Sequence, residues 1–314
     1  MGLLGIVSRW AVFTGLLVAV GAVVFRMWVL RTGDSPSVEA GDESPDPSAA
    51  APASLAGRFA ALGSVLLVLG ALGRLATELA VFRDPFEPWA AELSLLVTGT
   101  SFGSSWTAQL VLGLAACLAF AIAARSSRRG RATASWGLAI LVTVGLAFTP
   151  AFSGHAAGSQ HLRSLAITSD VLHVLAGGTW LGTLAVITWV AARSRATGFP
   201  IARERLVEWV ARFSPVALLS ATALAVTGAF ASWLHLDAVA SLWQSAYGQR
   251  LLIKVGVLSV IVGFGAYNWK QSRGKIAVSG EPGRLPSSVA SELAAGLAIL
   301  LVTAMLVTTP PPGE

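Results

Sequence analysis

The chain has 314 residues, 54% of them hydrophobic and only 12% charged, with a mean hydropathy of +0.70. A soluble domain carries about 25% charged residues, so this composition excludes an ordinary globular protein and points to a multi-pass membrane protein. The net charge of +6 is no sign of nucleic-acid binding, because in a membrane protein the placement of charge matters more than its sum.

Apolar runs close to or above the roughly 20 residues that cross a bilayer fall at about 5–30, 57–82, 104–124, 134–152, 164–192, 209–235, 248–270 and 287–308. The expected fold is therefore all-α: a polytopic transmembrane helix bundle of about eight spans. The first run, Gly2 to Leu30, is too long for a signal-peptide core and lacks a small-residue cleavage site, so it is expected to be a retained helix. Residues 31–56 include "TGDSPSVEAGDESPDPSAAAPAS". So much Pro, Ser and acid cannot build a core, and a disordered linker is expected. Pro88 to Thr100 mixes Trp89, Leu93, Leu95 and Leu96 with Glu92 and Thr98, the pattern of an interfacial helix. With no soluble domain and no short repeat, residues 1–314 read as one membrane domain.

Basic residues orient the bundle. Arg125, Arg128, Arg129 and Arg131 follow the third span. Arg193, Arg195, Arg203 and Arg205 follow the fifth, and Lys270, Arg273, Lys275 and Arg284 the seventh. The intervening connections carry only Arg83 and Arg163. By the positive-inside rule the basic connections are cytoplasmic, both termini are external and the 31–56 linker is cytoplasmic.

This topology sends all four histidines to the outer half. Three lie in "SGHAAGSQHLRSLAITSDVLHVLAGGTWLG", Ser153 to Gly182: His155, His161 and His173. The fourth, His235, closes the sixth span. Asp170 and His173 are spaced i, i+3 and share a helix face. Ionisable groups inside a span are costly and belong in the bundle interior or a wet cavity. Imidazole suits copper, zinc, iron and nickel, and a carboxylate can complete such a site or orient the imidazole. His155, His161, His173, His235 and Asp170 are thus the candidate metal ligands. His161 could equally be solvated in its loop, and His235, beside Asp237, could serve as a helix C-terminal charge. Gly178 and Gly182 form a small-xxx-small pair that lets another helix approach closely.

Arg74 and Glu78 are i, i+4 in the second span, either a mutually neutralising pair or part of a pathway. Lys254 reads as a snorkelling lysine near the outer end of the seventh span. With only Met1, Met27 and Met305, no Met-rich Cu(I) relay exists. The single cysteine, Cys117, excludes an internal disulfide, a CxxC motif and a cysteine-rich zinc site. There is no P-loop, no HExxH and no compelling Ser-His-Asp arrangement, so no enzyme is expected.

"SGHA" followed by "SDVLHVLAGGTWLG" resembles the signature of the CopD copper-resistance family. "TSFGSSW" at Thr100–Trp106, "RFSPVALLSATALAVTGAF" from Arg212, "YGQRLLIKVGVL" from Tyr247 and "AYNW" are similar to further segments of that family, in the same order. The resemblance covers most of the chain. It implies an inner-membrane protein that handles copper, often with a periplasmic CopC-like copper-binding protein, and is associated with uptake and resistance. His155 and His173 match family motif positions, whereas His161 and His235 do not clearly do so. A fused CopC-like domain, present in some relatives, is not expected here. The reading is copper uptake from the external side through a His/Asp site. The alternatives are a bis-His haem b redox protein, with imidazoles such as His173 and His235 on one iron, and a copper-delivery or assembly protein.

Overall fold

The computed structural model describes residues 2–30, 47–84, 86–126, 129–153, 162–275, 287–309 and 312. Among the described residues there are eleven α-helices and no strand. The principal ones are α1 (Leu3–Val24), α2 (Pro47–Phe82), α3 (Trp89–Thr98), α4 (Ser101–Arg125), α5 (Arg129–Ser153), α6 (Arg163–Gly177), α7 (Thr183–Ala196), α8 (Arg203–His235), α10 (Ala246–Lys275) and α11 (Ser287–Val307). A single short turn of helix, α9 (Ser241–Gln244), precedes α10.

Seven helices among the described residues are long and apolar enough to cross a membrane, and the protein is a multi-pass membrane protein. The span expected at 287–308 corresponds to α11, a helix of 21 residues. The expected interfacial segment is α3, a helix of 10 residues. Composition alone put residues 47–56 in a linker, but they lie in α2. "PSAAAPASLA" is rich in alanine, the best helix former, and Pro47 stands at the first helical position, where its missing N–H costs nothing. Residues 31–46 lie outside the described residues.

α1 is the central helix. Leu16, Ala19, Ala22, Phe25 and Val29 are wholly buried, and α1 packs against α2, α5, α7 and α11. A π-helical turn at Phe25–Val29 ends it. A second π-helical turn, Gly178–Gly182, joins α6 to α7 in one continuous span, Arg163–Ala196. α1 crosses that turn almost backbone to backbone. A Cβ on Gly182 would stand 1.9 Å from the Leu17 carbonyl oxygen, and one on Gly21 2.1 Å from the Gly182 carbonyl carbon. The close approach expected at Gly178 and Gly182 is therefore present, and α1 is the partner.

Successive spans run up and down. Ser54 Oγ donates to the Ala124 carbonyl at 2.6 Å where α2 begins and α4 ends. Trp28 Nε1 donates to the Arg212 carbonyl at 3.1 Å, and Arg212 Nη1 to the Val29 carbonyl at 3.2 Å. This end also carries Arg125, Arg193, Arg195, Arg203 and Arg205. Aromatic pairs seal the core nearby: Phe25 meets Trp209 edge-on at 5.0 Å, and Phe59 stacks on Trp189 at 4.6 Å. At the opposite end lie Phe82, Ser153, Arg163, His235 and Ala246, the ends of α2, α5, α6, α8 and α10.

Candidate functional site

His173 lies ten residues into α6, about 15 Å along the helix from Arg163. It is half-buried. Its Nδ1 is 2.8 Å from the hydroxyl of Thr227 on α8. The ring also packs over Gly228, where an added Cβ would lie 3.8 Å from His173 Cε1. The Thr227 hydroxyl has one proton and lies 2.6 Å from the Ala223 carbonyl, which can only accept. That carbonyl can take the proton, which frees a Thr227 lone pair for the imidazole. With its proton turned to the backbone, Thr227 accepts from Nδ1–H, the tautomer that leaves the lone pair on Nε2. Metal-binding histidines are commonly held this way, with one ring nitrogen donating to an oxygen and the other free to ligate.

Asp170, one turn earlier on the same face, is half-buried. It stands within Coulombic range of the Lys254 ammonium and the Tyr247 phenol, both on α10, and Lys254 stands within range of His173. Tyr247 is 7% exposed. Its ring lies edge-on to His235 at 6.3 Å between centroids. Three helices thus bring together a polar track. His235 and Tyr247 lie at the ends of α8 and α10, Asp170 deeper, and His173, Thr227 and Lys254 deepest.

The structure bears on three readings made from sequence. Asp170 could orient the His173 ring or ligate a metal, and the structure adds a second orienting candidate, the Thr227 hydroxyl at Nδ1. Lys254, read as a snorkelling lysine, is half-buried and shares the field of Asp170. Glu78 does not pair with Arg74: its Oε1 accepts from Arg9 Nη2 of α1 at 3.0 Å.

His235 and Thr227 are eight residues apart on α8, about 12 Å along the axis, so His173 and His235 lie at different depths. Asp237, beside His235, is exposed and accepts from Ser241 Oγ at 2.5 Å and from the Ala238 backbone N–H at 2.9 Å. The Ser241 bond, foremost, holds its carboxyl below the usual carboxylate range. Asp237 therefore shapes the turn into α9. His155 and His161 lie outside the described residues, and among the described residues no three His, Cys, Asp or Glu side chains converge as a metal site. Sequence reasoning passed over Thr227 and Tyr247 as site residues. The signal was present in "TG" at Thr227–Gly228 and "YGQRLLIK" at Tyr247–Lys254, which carry the polar groups facing α6.

Comparison with known proteins gives two family matches that together cover most of the chain. Residues 1–165 match the copper resistance protein D-like N-terminal domain, and residues 207–306 match copper resistance protein D. The copper transport protein CutJ of Bacillus subtilis (strain 168) is 28% identical over 262 residues, which are 83% of this chain and 46% of CutJ. The chain thus spans about half the length of that curated relative. No solved structure matches it. A chain whose first 165 residues match one half of a family and whose residues 207–306 match the other belongs to the copper resistance protein D family.

Proposed function

We propose that this protein takes up copper across the membrane from the side to which the α6, α8 and α10 polar track opens, with copper as its substrate. The observation that carries the reading is His173. It is an imidazole about 15 Å inside a span, held at Nδ1 by Thr227 at 2.8 Å, with Asp170 one turn away. An ionisable group at that depth is costly to place and is characteristically functional. The hydrogen bond presents Nε2 as a ligand, and neutral imidazole is a good donor to copper. The family membership and the likeness to a copper transport protein support copper over the other metals that imidazole accepts.

In this reading His235 and Tyr247 line the entrance, and Asp170 attracts the cation. His173 takes it through Nε2, and His155 and His161 are further ligands on the same side. The Lys254 ammonium occupies the field of Asp170 when no metal is bound, as a tethered cation that an arriving metal ion displaces. The basic connections lie in the cytoplasm and both termini outside, which makes transport inward. A CopC-like copper-binding protein on the outer side is the proposed donor.

The test is copper titration of the purified full chain and its variants by calorimetry at one pH, with folding checked by thermal unfolding. His173→Ala is expected to lose most of the copper affinity and Asp170→Asn to lose less. Equal affinity in wild type and a folded His173→Ala would refute the site.

A further inference from the structure

We propose that a second, separate site binds an anion at Arg74, among α1, α2, α4 and α5. The ligand class is a small inorganic anion of the chloride type or the phosphate oxygens of an anionic lipid headgroup. The two share one chemistry, a compact negative group.

Arg74 is 7% exposed and sits eight residues before the end of α2. A guanidinium has five N–H donors. Nη1 donates to Gln109 Oε1 of α4 at 3.1 Å, and Nη2 to Ser153 Oγ of α5 at 3.4 Å. The Phe102 ring lies 5.6 Å from the guanidinium carbon. Nε is buried and has no hydrogen-bond partner among the described residues. Every group Arg74 does touch is neutral, and each is already committed. Gln109 Nε2 donates to Thr149 Oγ1 at 3.0 Å, which fixes its oxygen toward Arg74. Ser153 Oγ lies 3.1 Å from the Thr149 carbonyl, and Ser105 Oγ donates to that same carbonyl at 2.8 Å.

Negative charge is scarce at this place. Glu78, one turn along α2, lies within Coulombic range of Arg74, but its ion pair is with Arg9 at 3.0 Å. A buried charge is tolerated when it is paired and costs several kcal/mol when it is not, and the cost rises inside a span. A guanidinium that is buried, surrounded by neutral acceptors and left with an unused donor is the electrostatic half of an anion site.

The full chain is reconstituted in nanodiscs of phosphatidylcholine, with gluconate exchanged for chloride at constant ionic strength. Thermal unfolding and the chlorine-35 resonance linewidth are followed. Wild type is expected to gain a saturable rise in unfolding midpoint and to broaden the chloride resonance. Arg74→Gln should do neither. Gln109→Glu, which places a carboxylate where Gln109 Oε1 now meets Nη1, should lose the chloride response while unfolding in gluconate no lower than wild type. A second arm adds phosphatidylglycerol in gluconate. If only this lipid raises the wild-type midpoint, and leaves Gln109→Glu unmoved, the anion is the lipid phosphate. Identical responses of wild type and Gln109→Glu to both anions would overturn the proposal. So would a Gln109→Glu chain destabilised in gluconate, and Gln109→Glu decides the matter even if Arg74→Gln does not fold.

Discussion

Thr227→Val isolates the contact on which the copper site depends. Valine keeps the branched shape of threonine and removes the hydroxyl. Thr227 is 8% exposed, so water does not readily replace the lost acceptor at 2.8 Å from His173 Nδ1. Leaving a buried donor without a partner costs about 1–3 kcal/mol. The imidazole avoids that cost by moving its proton to Nε2 or by rotating. Either response removes the lone pair that a metal needs. At about 1.4 kcal/mol per tenfold change, copper affinity should fall by roughly 5- to 100-fold, a range that overlaps the loss common when a partner of a metal-bound histidine is removed. Thr227→Ser, which keeps the oxygen, should retain most of the affinity. The assay is copper titration of the purified chain, paired with nitrogen-15 shifts of labelled histidine, which report the tautomer directly. A folded Thr227→Val protein with wild-type affinity and an unchanged tautomer would refute the orienting role.

Three further outcomes follow from the packing and the charges. Gly182→Ala should destabilise the bundle by more than the about 1–3 kcal/mol usual for overpacking, because its Cβ would stand 1.9 Å from the Leu17 carbonyl oxygen and neither backbone can yield; thermal unfolding in nanodiscs checks this against Gly137→Ala, where a Cβ meets nothing within 4 Å. Arg9→Gln removes the ion-pair partner of Glu78 and leaves it only the neighbouring charge of Arg74, and a loss of about 1–3 kcal/mol is expected, with partial recovery in Arg9→Gln/Glu78→Gln. Reporter tags after Arg129 and after Ser159 should read cytoplasmic and external respectively; the reverse would turn the proposed direction of transport around.

The sequence by itself determined the class, most of the spans and the residues worth watching. Length and apolarity suffice for a membrane helix, because the bilayer imposes a thickness that each span must meet alone. Charge asymmetry between connections is likewise local, as is the i, i+3 spacing that puts Asp170 and His173 on one face. The small-xxx-small pair at Gly178 and Gly182 announced a close crossing, though not that α1 makes it. Partnership between helices was beyond reach, since any residue far along the chain can pack beside another. Arg74 and Glu78 are well spaced to pair within α2, yet Glu78 turns to Arg9, 69 residues away in sequence, because α1 and α2 are packed together there. Asp170 stands one turn from His173, yet Nδ1 finds Thr227, 54 residues on. Lys254 looks solitary in α10 until α6 places Asp170 within its field. In each case a spacing rule describes one helix, whereas the field and hydrogen bonds of a buried polar group are set by every helix that surrounds it.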